Sequence, residues 1–231
     1  HWAGRGFVVL AADHPGLCLA DMLALEFESD LESDVHAMLD ALGSAEGDLA
    51  FLDGRVDTNR VALVGHSAGG QAAGALANAP GIEVVIAMAA GGVDDGTSLR
   101  SVLVLGALDD QVVPYARQQE GYEASPTPKR LVGIANAGHL AFSSLCALTD
   151  ERGMDLVEIA IEHEVSNVEF ASSLWDGCAP GQLDPAQGWE IINHASTAVL
   201  EEVLHCNEDA SLFSGIVSRF AAVAEYRQDI P

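Results

Sequence analysis

The stretch that most constrains the fold is Val61-Ala-Leu-Val-Gly-His-Ser-Ala-Gly-Gly70, where a short apolar run meets glycines, a serine and a series of small residues. Four consecutive apolar residues ending at turn formers read as a buried strand, and the Ala-rich segment that follows, to about Ala79, reads as a helix. The turn between them is tight. Its backbone is strained and the helix packs close, so Gly65, Gly69 and Gly70 are expected where side chains would collide. A strand running straight into a helix is half of a crossover unit, and it points to a parallel sheet covered by helices.

The same alternation recurs. Phe7-Val-Val-Leu-Ala-Ala runs into Asp13-His14-Pro15-Gly16 and reads as a buried central strand followed by a loop. Val35, Met38, Leu39 and Leu42 then recur at helical spacing behind the acidic residues 26–34, whose carboxylates suit a helix N-terminus. Further strands are expected at 84–88, 101–105 and 131–134. The expected class is therefore α/β, with a mostly parallel central sheet and helices on both faces. After about Thr149 the pattern changes. The reading is a core over 1–149, a helical cap or insertion over 150–187, and C-terminal core helices over 188–231.

At 231 residues and 49% hydrophobic, the chain suits one domain with excursions. Its longest apolar runs break after about 6–8 residues, too short for a membrane span, so it reads as soluble. Thirty-five acidic against ten basic residues give a formal charge of −25, with Lys129 the single lysine. That surface repels phosphate backbones and anionic headgroups, which excludes nucleic acid as a partner and suits solubility in a salty medium. The cysteines, Cys18, Cys146, Cys178 and Cys206, lack metal or redox spacing. Cys178 and Cys206 bracket a loop and a helix, and a disulfide there would mark a secreted or periplasmic protein; four reduced thiols would mark a cytoplasmic one. The first residue is His1, which implies a processed N-terminus or a fragment.

Gly65-His66-Ser67-Ala68-Gly69 has the form Gly-x-Ser-x-Gly in the strand–turn–helix setting that presents a serine as a nucleophile. The helix N-terminus behind it offers the Ala68 N–H to a developing oxyanion. Serine needs a base, and the base needs an acid. Asp109 and Asp110 follow the apolar run ending at Leu105, at a strand's C-terminal edge where parallel sheets build sites. Asp109 is the preferred acid from its Gly-x-x-Asp spacing, and Asp110, counted back from Val-Val-Pro114, is the alternative. His139, in Asn136-Ala-Gly-His after the next strand, is the expected base. His66 is expected to pack inside the turn and His14 to border the pocket. His36, His163, His194 and His205 fall on helical stretches without paired ligand spacing, so no metal and no cofactor is assigned.

These features resemble the α/β-hydrolase superfamily, and within it the dienelactone-hydrolase-like and platelet-activating-factor-acetylhydrolase-like esterases. The resemblance covers nearly the whole chain. It rests on Gly6-Phe-Val-Val before Asp13-His14-Pro15-Gly16, on Asp57-Thr-Asn-Arg-Val-Ala-Leu-Val-Gly-His-Ser67, on Gly138-His139-Leu-Ala-Phe into Leu145-Cys146, and on Ile191-Ile-Asn-His194. It implies a serine carboxylic ester hydrolase acting through Ser67, His139 and Asp109 by an acyl-enzyme, on short or medium acyl esters, lactones, oxidised phospholipids or polyesters. The implied partner is a small-molecule or polymeric ester. Members carry a second oxyanion donor on a loop after an earlier strand, a segment that would precede His1; either that piece is missing or another group substitutes. The acyl pocket is expected to draw on Gly91, Gly92 and Val93 and on the cap, with Trp175 and Trp189 as lining or packing residues. The alternatives are a phospholipase-like lipid esterase and a non-catalytic binding protein of the same fold.

Overall fold

Four parallel strands and one antiparallel strand form a single sheet in the computed structural model, which describes residues 1–26, 28–93, 99–207 and 212–231. The strands are β1 (Val61–His66), β2 (Ile82–Met88), β3 (Ser101–Ala107), β4 (Lys129–Ile134) and β5 (Val223–Asp229), and they lie side by side in that order. β1 to β4 pair in parallel, and β5 returns antiparallel to β4. The architecture is α/β with a mostly parallel sheet.

Both faces of the sheet are covered, which is why β3 and β4 are buried along their whole length. On one face, Val85, Val102, Val104 and Leu131 meet Ala73 and Ala77, in and just beyond α3 (Ala68–Ala75), and Tyr122 of α4 (Tyr115–Ala124). On the other, Ile86, Leu103, Leu105 and Ile134 meet Ile191, Ala195, Ala198 and Val199 of the 20-residue helix Pro185–Leu204. Side-chain alternation along each strand sorts these residues into two cores. The long helix starts cleanly because Pro185 needs no amide partner there and the Asp184 carboxylate accepts the N–H of Ala186 at 2.8 Å.

The other described α-helices are α1 (Leu19–Ala24), α2 (Leu31–Ser44), α5 (Leu156–Glu162), α6 (Val168–Leu174) and α8 (Ile216–Arg219), the 20-residue helix being α7. Leu31–Ser44 is the helix expected from the spacing of Val35, Met38, Leu39 and Leu42, capped by Asp30, whose carboxylate accepts the Ser33 N–H at 3.0 Å. Leu156–Glu162 opens with a reciprocal capping box between Asp155 and Glu158. Among the described residues, no helix is long and apolar enough to cross a membrane.

Three expectations are corrected. Residues 7–12 join no ladder and form no regular element, and Val8 and Val9 are both 49% exposed. An apolar run carries β propensity, but a strand also requires a partner edge at hydrogen-bonding distance. Phe7 instead stacks on His205, with ring centroids 4.3 Å apart, and the segment roofs a groove of about 550 Å³ against β1 and the helix Leu31–Ser44. The second correction concerns 188–231, which is not wholly helical, because β5 closes the sheet there. Charged residues along β5, Glu225, Arg227 and Asp229, conceal it, as suits an edge strand.

The third concerns the cysteines. Cys146 bonds to Cys178, while Cys18 and Cys206 are free and exposed. The reason is geometric: Cys178 and Cys206 lie beyond opposite ends of a 20-residue helix, which is about 30 Å long. A crosslink spanning 32 positions restricts the unfolded chain by about 3–4 kcal/mol. Replacing both Cys146 and Cys178 by Ser is expected to lower unfolding stability by that order, read as a fall in the denaturant midpoint with a somewhat steeper slope, because the uncrosslinked unfolded chain exposes more surface.

Candidate active site

Ser67 lies between β1 and α3 with φ 55° and ψ −122°, a conformation that costs an L residue about 1–3 kcal/mol. Its amide donates to the Met88 carbonyl at 2.9 Å and its carbonyl accepts from Gln71 at 3.1 Å, so both sides of the turn are held. A Cβ on Gly65 would overlap the Gly69 carbonyl, and one on Gly70 would come within 2.7 Å of the Ala90 Cβ. Those two glycines thus do what the motif requires. Gly69 does not, since nothing lies within 4 Å of where its Cβ would be. Ala68 is the first residue of α3, so its amide has no carbonyl one turn back and is presented at the helix's positive end.

His139 opens a 3₁₀ turn, His139–Phe142, after the loop that leaves β4. Its Nε2 lies 2.8 Å from Ser67 Oγ and its Nδ1 lies 2.9 Å from Asp110 Oδ2. The carboxylate accepts the Nδ1 proton, which leaves Nε2 free to accept the serine proton. Both side chains are almost wholly buried.

The acid at this position is Asp110, and the preference for Asp109 is corrected. The backbone turns between Ala107 and Asp110, where the Asp110 N–H reaches the Ala107 carbonyl at 3.4 Å, and this turn exposes Asp109. Counting from the glycine placed a carboxylate on the loop but could not assign the face to which it turns. Asp110 Oδ1 accepts the N–H groups of Val112 and Val113 at 2.9 and 2.7 Å. Its Oδ2 accepts from Gln118 Nε2 at 3.0 Å besides His139. Gln118 is fully buried; it also donates to the Val113 carbonyl at 2.6 Å and accepts the Ala107 N–H at 3.1 Å. Gln118 was missed in the sequence because a glutamine on α4 carries no motif. Its one visible signal is its place eight residues after the acid.

His66 donates from Nε2 to the His139 carbonyl at 2.8 Å, and the two rings are 4.7 Å apart. Burial, and then the neighbouring His139, lower its pKa from 6.5 to about 4. The folded state therefore refuses a proton that the unfolded chain takes below about pH 6.5. Stability is expected to fall between pH 6.5 and 4 by up to about 3 kcal/mol from this group, with no contribution above that window. Unfolding measured against pH for wild type and His66→Gln checks this, the variant losing that part of the slope.

The remaining expected site residues scatter. His14 pairs with Asp34 at 2.8 Å and, with His66, lines the groove beside β1. Gly91 and Gly92 do not line either cavity; they are packed against Gly121, and the Val93 amide donates to Ser125 Oγ at 2.9 Å, so this stretch joins α3 to α4. Trp175 is structural, its Nε1 donating to Asp155 at 2.9 Å. Trp189 is the one of the two tryptophans that borders a cavity, a space of about 380 Å³ shared with Met88, Phe142 and Ile192. Among the described residues, no group of three His, Cys, Asp or Glu side chains is arranged to hold a metal ion. No protein-family model and no curated protein matches the chain.

Proposed function

We propose that this chain is a serine hydrolase cleaving carboxylic esters, with an α/β-hydrolase arrangement of its core. The observation that carries this reading is the unbroken hydrogen-bonded series from Ser67 through His139 to Asp110, at 2.8 and 2.9 Å, on the turn that leads into α3. Ser67 Oγ attacks the ester carbonyl carbon as His139 Nε2 takes its proton. The tetrahedral oxyanion forms at the Ala68 N–H, where the donor is in place before charge develops. Collapse expels the alcohol, protonated by His139, and leaves the acyl group on Ser67. Water then repeats the sequence and releases the acid. Asp110 keeps the imidazole in one tautomer and stabilises its cation.

The cavity of Trp2, Met88, Phe142, Trp189 and Ile192, with His1 and Asn193 as its polar members, supports a largely apolar acyl group of short to medium length, since the main-chain carbonyl of Met88 also holds the Ser67 amide. The Cys146–Cys178 bond supports an exported protein. Reaction with a fluorophosphonate probe tests the assignment: the folded protein is expected to label at Ser67, found by peptide mapping. A folded protein that hydrolyses no p-nitrophenyl ester and takes no label overturns it.

A further inference from the structure

The two loops that carry the acid and the base are joined by a third segment, residues 175–178. Asp176 Oδ2 accepts the backbone N–H of His139 at 2.8 Å and the backbone N–H of Gln111, next to Asp110, at 2.9 Å. One oxygen thus ties together the main chains on which the imidazole and its carboxylate are mounted. The Asp176 carbonyl adds a third tie, accepting the Leu140 N–H at 2.7 Å. Gly138 and Gly177 let the segments touch, since a Cβ on Gly138 would come within 2.6 Å of Gly177 Cα. The segment is itself held at both ends, by Trp175 on Asp155 and by the disulfide from Cys178 to Cys146.

We propose that Asp176 is a positioning residue, whose carboxylate sets the separation of the loops bearing Asp110 and His139. This rests on the hydrolase reading for its consequence in rate, but not for its geometry. A carboxylate oxygen accepting two amides makes charge-assisted bonds, stronger than neutral ones. Without them the loops keep the bond from the Asp109 N–H to the Ala137 carbonyl at 3.0 Å and that from Leu140 to the Asp176 carbonyl, but lose the two ties made at His139 itself and beside Asp110, which fix the Nδ1–Oδ2 distance most directly. A displacement near 1 Å at such a pair costs on the order of 10²-fold in rate.

The test compares Asp176→Ala, which removes the acceptor, with Asp176→Asn, which retains an amide oxygen able to take both N–H groups. With p-nitrophenyl acetate, well below the unfolding temperature of each protein, Asp176→Ala is expected to lose on the order of 10²-fold in kcat with little change in KM, and Asp176→Asn to recover most of it. The proton on His139 Nδ1, followed by its far-downfield resonance, needs no substrate. It is expected to be present in wild type and Asp176→Asn and to broaden or shift upfield in Asp176→Ala. Equal kcat in folded Asp176→Ala, or an Asp176→Asn protein as impaired as Asp176→Ala, overturns the proposal. If Asp176→Ala does not fold, Asp176→Asn decides alone: a resonance and kcat close to wild type support positioning, and loss of both overturns it. A wild type inactive on esters whose resonance still responds to Asp176 overturns the hydrolase reading and leaves the positioning role intact.

Discussion

Ser67→Ala is expected to lower kcat for p-nitrophenyl esters on the order of 10⁶-fold and to abolish fluorophosphonate labelling, with KM little changed. The loss is large because in the proposed reaction the acyl-enzyme forms on the serine hydroxyl, which lies 2.8 Å from His139 Nε2. The fold should be untouched. The strained φ of 55° is an L-residue strain that alanine shares, and the backbone bonds to Met88 and from Gln71 do not involve the side chain. Circular dichroism and unfolding curves close to wild type, together with the lost rate, separate chemistry from structure.

The second large effect distinguishes adjacent carboxylates. Asp110→Asn is expected to lower kcat on the order of 10⁴-fold, because an amide facing Nδ1 favours the tautomer with its proton on Nε2, where it cannot accept from Ser67. Asp109→Asn, on an exposed side chain, should stay within about twofold of wild type. The two variants, assayed side by side on one ester, decide the acid; the larger loss at Asp109 would contradict the geometry at His139.

Much of this site is legible in the sequence, for a physical reason. Glycines at a strand-to-helix turn are required by contacts that any such turn must make, and Gly65 and Gly70 make them. The strands β2 to β4 show as apolar runs because both faces are covered, and the half-buried β1 shows as one as well. What is not legible depends on direction or on distant partners. Asp109 and Asp110 differ only in which side of one turn they face. Residues 7–12 have strand composition without a ladder, and β5 has a ladder without strand composition. The Cys146–Cys178 pairing follows from where the long helix carries the chain, and Asp176 and Gln118 act through contacts with residues 37 and eight positions away.

The open side of β1 has a consequence for the molecule's behaviour in a crowd. Among the described residues β1 pairs with β2 alone, and its other margin borders the groove under residues 7–12 with no strand hydrogen-bonded to it. Such a margin is a template on which further chain can crystallise as added strand, and proteins usually blunt it with charge. Here the blunting is global: 25 surplus negative charges make copies keep their distance. That protection is colloidal, and it is set by the ionic medium as much as by the fold. With a screening length of about 10 Å at 0.1 M salt and about 3 Å at 1 M, brine removes the repulsion while leaving the template in place.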